Sequence, residues 1–363
     1  MTITALVLAM STENAYPLLS VEQALDRVLA SVAALPAVET PLLQALDLVL
    51  AEDVRAPLDV PMHANSAMDG YALRAADAAG DGAELPVVGD VAAGHPWQGP
   101  VGPGQALRIM TGAPLPAGAD TVVRFEDTVA LDDGRRVRII RAPKLGANVR
   151  LAGEDVRAGD IALARGTLLR PQELGLLAAL GCTAVRVHRR PVVAVLSTGD
   201  ELAAPGAPLK PGQVYDSNTH TLAAQVLRGG RQPWMLAPAP DRERMIPARL
   251  AAASSADLIV TSGGVSVGDY DLVKNVLASA GRIDFWWVNM KPGKPLAFGR
   301  VGRVALLALP GNPVAAMLSF HLFGRPAIYK ARGLTTWEAP SVSAVLAEPV
   351  TRKDGRRHYL RVR

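Results

Sequence analysis

The chain has 363 residues, of which 49% are hydrophobic, 20% charged and only 4% aromatic, and its formal net charge is +4. At roughly 150 residues per domain this length predicts two to three domains and excludes a single small binding module, and the apolar content excludes a disordered chain. An excess of four positive charges is too small to imply nucleic-acid binding, which would need a local basic patch.

From the N-terminus, the apolar stretch 3–10 is far shorter than the ~20 residues that span a bilayer. No basic residue precedes Arg27, so neither a membrane span nor a secretory leader is expected, and the expected compartment is the cytoplasm. Ser20-Val21-Glu22-Gln23 has the form of a capping box, and Val21, Leu25, Val28, Leu29 and Val32 follow at helical spacing. A second helix is predicted over 42–50. Between 57 and 143 the texture changes to short β-type runs at 85–88, 106–110, 121–125 and 136–140, punctuated by Gly, Pro and Asp. Asp132-Asp133-Gly134 predicts a hairpin turn, with Arg135, Arg136, Arg138 and Arg141 expected on a solvated face of the hairpin rather than in a nucleic-acid patch.

From 191 onward, predicted strands at 192–196, 234–237, 258–261, 283–288 and 304–309 alternate with predicted helices at 219–227, 241–253, 272–280 and 314–330. Such alternation predicts an open, mostly parallel sheet with helices on both faces, which binds ligands at the carboxyl ends of its strands. The fold class expected is therefore α/β and multidomain. A three-layer αβα domain (191–333) accompanies an inserted all-β domain (57–143) and a discontinuous mixed linking domain (1–56 and 144–190).

Three of these strands run into unusual loops. Ser197-Thr198-Gly199-Asp200-Glu201 sets two carboxylates beside a glycine. In Ser262-Gly263-Gly264-Val265-Ser266-Val267-Gly268-Asp269-Tyr270-Asp271, three glycines let backbone N–H groups approach an anion before a helix N-terminus. Gly263 and Gly268 have Walker A spacing, but Asp269 stands where that motif has lysine, which disfavours an ordinary P-loop. In Pro310-Gly311-Asn312-Pro313, Asn312 is placed to cap a helix that starts at Pro313. Lys291-Pro292-Gly293-Lys294-Pro295 places two ammonium groups on a stiff loop, suited to an oxyanion or phosphate. The single cysteine, Cys182, excludes an internal disulfide and reads as a small buried residue, and His63, His95, His188, His220, His321 and His358 show no pair at helical ligand spacing. Carboxylates and basic groups together suit Mg²⁺-assisted chemistry on a phosphorylated ligand.

Outside the sheet, Asn65-Ser66-Ala67-Met68-Asp69-Gly70-Tyr71-Ala72, Met110-Thr111-Gly112-Ala113-Pro114 and Arg150-Leu151-Ala152-Gly153-Glu154-Asp155 form polar, glycine-containing segments. Together with the four loops above, in this order and approximate spacing, they resemble the MoeA-type molybdopterin molybdenumtransferases, which are similar to the C-terminal domain of gephyrin. The resemblance runs from about Leu18 to the end of the chain. It implies a Mg²⁺-dependent homodimer that takes adenylylated molybdopterin and molybdate, inserts the metal at the dithiolene and releases AMP, with a molybdopterin adenylyltransferase as a further partner. It implies that Glu201 and Asp271 hold the Mg²⁺ and phosphate region, with Asp69 and Asp155 as further acidic residues, Asp69 acting on the partner subunit's site. Thr111, Arg150, Ser266, Lys291, Lys294, Pro310 and Pro313 would line the pterin, phosphate or molybdate subsites. Family members close with a small β domain, whereas 29 residues follow Leu334 here, so 334–363 is expected as an incomplete one. Two other readings are an adenylyltransferase-like enzyme, which the α/β unit alone resembles, and a non-catalytic gephyrin-like scaffold.

Overall fold

A computed structural model describes residues 17–230, 232–239, 245–264, 281–351 and 354–362. The predicted helix at 272–280 and the candidate residues Ser266, Asp269 and Asp271 lie outside the described residues. The chain divides into two compact units, one of 1–52, 166–170 and 184–363 and the other of 53–165 and 171–183, a coarser division than the regions expected from sequence.

The larger unit is built on a seven-stranded sheet whose order is Leu18–Leu19, Gly281–Val288, Pro295–Val301, Val304–Leu309, Leu258–Ser262, Val192–Ser197, Gln232–Met235. Four neighbouring pairs are parallel and two, on either side of Pro295–Val301, are antiparallel. The strand Pro295–Val301 was not expected. Its loop with Gly281–Val288 is too short for a crossover helix and forces a hairpin. Both faces of the sheet are covered, which is why its central strands are continuous apolar runs. Along Val192–Ser197, Val193 and Val195 pack with Leu222, Val226 and Phe320, whereas Ala194 and Leu196 pack with Ile246 and Leu250 on the opposite face.

The capping box forms as the sequence predicts. Ser20 Oγ accepts from the Gln23 N–H and Gln23 Oε1 from the Ser20 N–H, opening the helix Val21–Ala30. The helix expected over 42–50 does not form. A 3₁₀ turn at Leu42–Ala45 is followed by Asp47 at φ 61° and a strand, Val49–Leu50. Burying Val49 and Leu50 against Ala184–His188 in a three-stranded sheet outweighs local helix propensity, and a helix would have left no such pairing. The predicted helix over 314–330 is interrupted by a π turn at Phe320–Gly324. Beyond 333 the described residues contribute one short strand, Arg357–His358, which pairs in parallel with Met290–Lys291.

The smaller unit contains a six-stranded sheet in the order Thr128–Leu131, Arg136–Ile139, Glu84–Val91, Ala106–Ile109, Gly70–Leu73, Thr121–Arg124. Period-two alternation splits its apolar residues between two cores, Tyr71 and Leu73 facing one and Ala72 the other. Gly70 is required where the strands approach, since a Cβ there would run into the Val123 backbone. Arg136 and Arg138 both pair with Glu84. Cys182 is half-buried rather than buried, because it follows the Gly181 turn at the end of the helix Pro171–Ala179.

Candidate active site

In the smaller unit three of the singled-out segments meet. Arg150, in the strand Val149–Arg150, is paired with Asn65, and the Ser66 N–H donates to Ala113 O at 3.0 Å. The turn after Met110 is closed by an Ala113 N–H bond to Met110 O and has Gly112 at φ 80°, a conformation glycine adopts without strain. That turn aims Thr111 at Asp69: Asp69 Oδ1 accepts both the Thr111 N–H and the Thr111 hydroxyl, each at 2.7 Å. The two Thr111 hydrogen bonds, backbone first, and the nearby Arg108 charge hold the Asp69 carboxyl below the ordinary range, so it stays ionised. Asp69, Thr111 and Arg150 are all exposed. Asp155 is exposed as well, its N–H bonded to Val60 O at 3.0 Å.

In the larger unit, sheet register brings the loops together. Ser197 lies opposite Ser262, and Ser262 opposite Leu309, so three adjacent parallel strands end level with one another. Backbone and side-chain bonds then tie the loops that follow: Thr198 N–H to Ser262 O at 2.9 Å, Gly263 N–H to Leu309 O at 3.1 Å, and Ser262 Oγ–H to Pro310 O at 3.1 Å. Asn312 caps the helix Pro313–Ser319, accepting from Val314 and Ala315, with Pro313 in its first turn as the sequence predicts. Between these loops lies a cleft of about 160 Å³ lined by Thr198, Glu201, Asn218, Gly263, Gly311 and Pro313 among others. Gly199 adopts φ 149°, and a Cβ there would stand 2.4 Å from a Glu201 carboxylate oxygen, which would have to swing aside.

Asn218 is a site residue that sequence reading missed. Its Nδ2 donates to Ser262 Oγ and to Gly311 O, both at 2.8 Å, fastening two loop ends to the helix Ser217–Arg228. The available signal was its place two residues after Asp216, which caps that helix.

The lysine loop belongs to the same edge of the sheet. Ala297 lies opposite Ala308 in an antiparallel pair, so the start of Pro295–Val301 is level with the end of Val304–Leu309. Lys291 Nζ lies 3.6 Å from Asp354 Oδ2, and its carbonyl accepts from the Tyr359 N–H at 2.9 Å. Asp354 is held far below the usual carboxylate range by His358 and Arg356, so it is charged beside that lysine. Asp354 was also missed, since only folding brings it beside residue 291.

Among the described residues no group of three or more His, Cys, Asp or Glu side chains forms a metal site, and the second expected ligand, Asp271, is outside them. What the cleft supplies is oxygen. Of the residues lining it, Glu201 carries a carboxylate, and Thr198 Oγ1 and Asn218 Oδ1 are buried without a hydrogen-bond partner among the described residues. A donor set of hard oxygens without sulfur or imidazole fits Mg²⁺.

Comparison with known proteins decides the family. Residues 19–181 match the MoeA N-terminal region (domain I and II), and residues 194–330 match a probable molybdopterin binding domain. The molybdopterin molybdenumtransferase of Haemophilus influenzae is 42% identical over 305 residues, 84% of this chain and 75% of its own. Molybdopterin molybdenumtransferase 2 of Mycobacterium tuberculosis is 44% identical over 335 residues, 89% and 82% of the two chains. The chain belongs to the MoeA-type molybdopterin molybdenumtransferases. In fold, the MoeA family resemblance extends to a molybdopterin biosynthesis MoeA protein of Pyrococcus horikoshii, with a TM-score of 0.80 and 29% identity over 94% of this chain and 86% of the other. As in that family, the architecture is multidomain α/β. No helix of the described residues is long and apolar enough to cross a membrane.

Proposed function

We propose that this chain, a transferase of the MoeA family, inserts molybdate into adenylylated molybdopterin and releases AMP, acting as a homodimer in the cytoplasm. The observation that carries the reading is the level ending of three parallel strands around an oxygen-lined cleft, with the lysine loop at the same sheet edge. Phosphate and molybdate are both tetrahedral oxyanions, and the Lys291 and Lys294 ammonium groups supply charge for them without needing planar, bidentate geometry. Glu201 and Asp271 would hold Mg²⁺, which when bound would screen the phosphate charge as AMP departs. Glu201 sits on an exposed loop end and can face substrate without disturbing the core. The two Thr111 hydrogen bonds hold the Asp69 carboxyl below its ordinary range, so Asp69 serves as a fixed anion.

The match to the MoeA N-terminal region over 19–181 favours insertion over an adenylyltransferase-like activity, which the α/β unit alone would suggest. The retained Glu201 and lysine loop favour catalysis over a purely scaffolding role. The experiment that tests the reading is AMP release from purified adenylylated molybdopterin with and without molybdate. Oxyanion-dependent release supports insertion, equal release in both arms points to hydrolysis of the phosphoanhydride, and no release points to a scaffold.

A further inference from the structure

Trp287 lies near the end of the strand Gly281–Val288, opposite Pro295 of the next strand. The loop between them is closed by the Val288 N–H bond to Lys294 O at 3.0 Å. Lys294 Nζ stands 5.2 Å from the centre of the Trp287 ring, within the range of a cation–π contact. Trp287 itself is 6% exposed and packs in the core with Ala297 and Val304. Its indole N–H is buried and has no hydrogen-bond partner among the described residues.

That last fact separates packing from recognition. A phenylalanine would fill much of the same apolar slot without burying an unpaired donor, which is costly. What the indole offers in return is the most electron-rich π face among the side chains, and the ammonium stands over it. A lysine has a long flexible stem, and an anion that binds it ordinarily has to freeze that stem. A lysine already held over a ring has lost that freedom before the anion arrives.

We propose that Trp287 is a positioning residue for the oxyanion site: its indole face holds the Lys294 ammonium in place, so that the loop presents a pre-set positive charge to the incoming oxyanion. The inference rests on the reading of Lys294 as an oxyanion-binding residue. Because Trp287 acts through Lys294 and not on the reacting atoms, its loss is expected in the molybdate half-saturation and not in kcat.

The test uses the whole protein grown with tryptophans carrying one, two or three ring fluorines, which drain the π face while nearly preserving shape. The molybdate half-saturation for AMP release should rise stepwise, by about threefold to tenfold across the series, with kcat unchanged. In a Trp287→Phe background, where the other tryptophans still carry fluorine, the series should be flat. A flat series in the unsubstituted protein, with Lys294→Ala still raising the half-saturation, overturns the role of Trp287 and leaves the lysine reading standing. A stepwise rise that persists in Trp287→Phe also overturns it. An unchanged half-saturation in Lys294→Ala overturns both.

Discussion

One oxygen of Asp69 receives two hydrogen bonds from a single residue 42 positions away, the N–H and the hydroxyl of Thr111, each at 2.7 Å. Both stabilise the charged carboxylate, and the pKa is lowered accordingly. A lowered folded-state pKa adds stability above the unfolded carboxylate range, and that contribution is lost as pH falls through the lowered value. Thr111→Val deletes the hydroxyl donor and keeps the backbone one, so the Asp69 pKa should move back up without reaching the ordinary value. Carbon-13 NMR titration of the Asp carboxyls measures this. An unmoved Asp69 would show that the backbone donor alone sets its charge.

Glu201→Gln removes a charge from an exposed loop end, so the fold should persist while AMP release falls by at least about a hundredfold. Chelation should abolish release in the unsubstituted protein. Circular dichroism alongside the turnover assay separates the two effects, and wild-type turnover in metal-free buffer would remove Mg²⁺ from the reaction.

Gly263, at φ 96°, has Thr198 O only 2.5 Å from where a Cβ would stand. We expect Gly263→Ala to push the two strand-end loops apart and to lower activity more sharply than Gly302→Ala, which also has positive φ but open space around it. Comparing the melting temperatures and turnover of the two variants distinguishes strain alone from damage to the cleft.

Lys291→Ala and Lys294→Ala should each raise the molybdate needed for half-maximal rate by more than they raise the pterin requirement, since molybdate is held mainly by charge. A molybdate titration at saturating pterin nucleotide gives the midpoint. Equal midpoints in all three proteins would take the lysines out of the oxyanion site.

Arg189 and Asp257 join the start of a central strand to the loop before its neighbour. The guanidinium donates to both carboxylate oxygens at 2.7 and 2.6 Å, and the Val192 N–H adds a third bond at 2.8 Å. Asp257→Ala removes all three hydrogen bonds, and we expect a loss of about 1–3 kcal/mol, visible as a lower melting temperature with substrate affinity unchanged.

The sequence alone determined the features that depend on neighbours along the chain. The capping box at Ser20 and Gln23 and the Asn312 cap with Pro313 formed as read, because each closes within three residues. The continuous apolar runs Val192–Ser197, Leu258–Ser262 and Val304–Leu309 required burial on both faces, and so a covered parallel sheet. The ordered set of glycine, proline and carboxylate loops was specific enough to indicate the family. Tertiary structure decided what depends on distance in space. It turned 42–50 from a helix into a 3₁₀ turn and strand, since burial of Val49 and Leu50 outweighs a few tenths of a kcal/mol of helix propensity per residue. It gave Asp69 its partner, set Asn218 as the tie between two loops, and placed Lys294 over an indole. These contacts arise from strand register and close packing, and no pattern of neighbouring residues encodes which distant side chains that register will bring to between 2.7 and 5.2 Å.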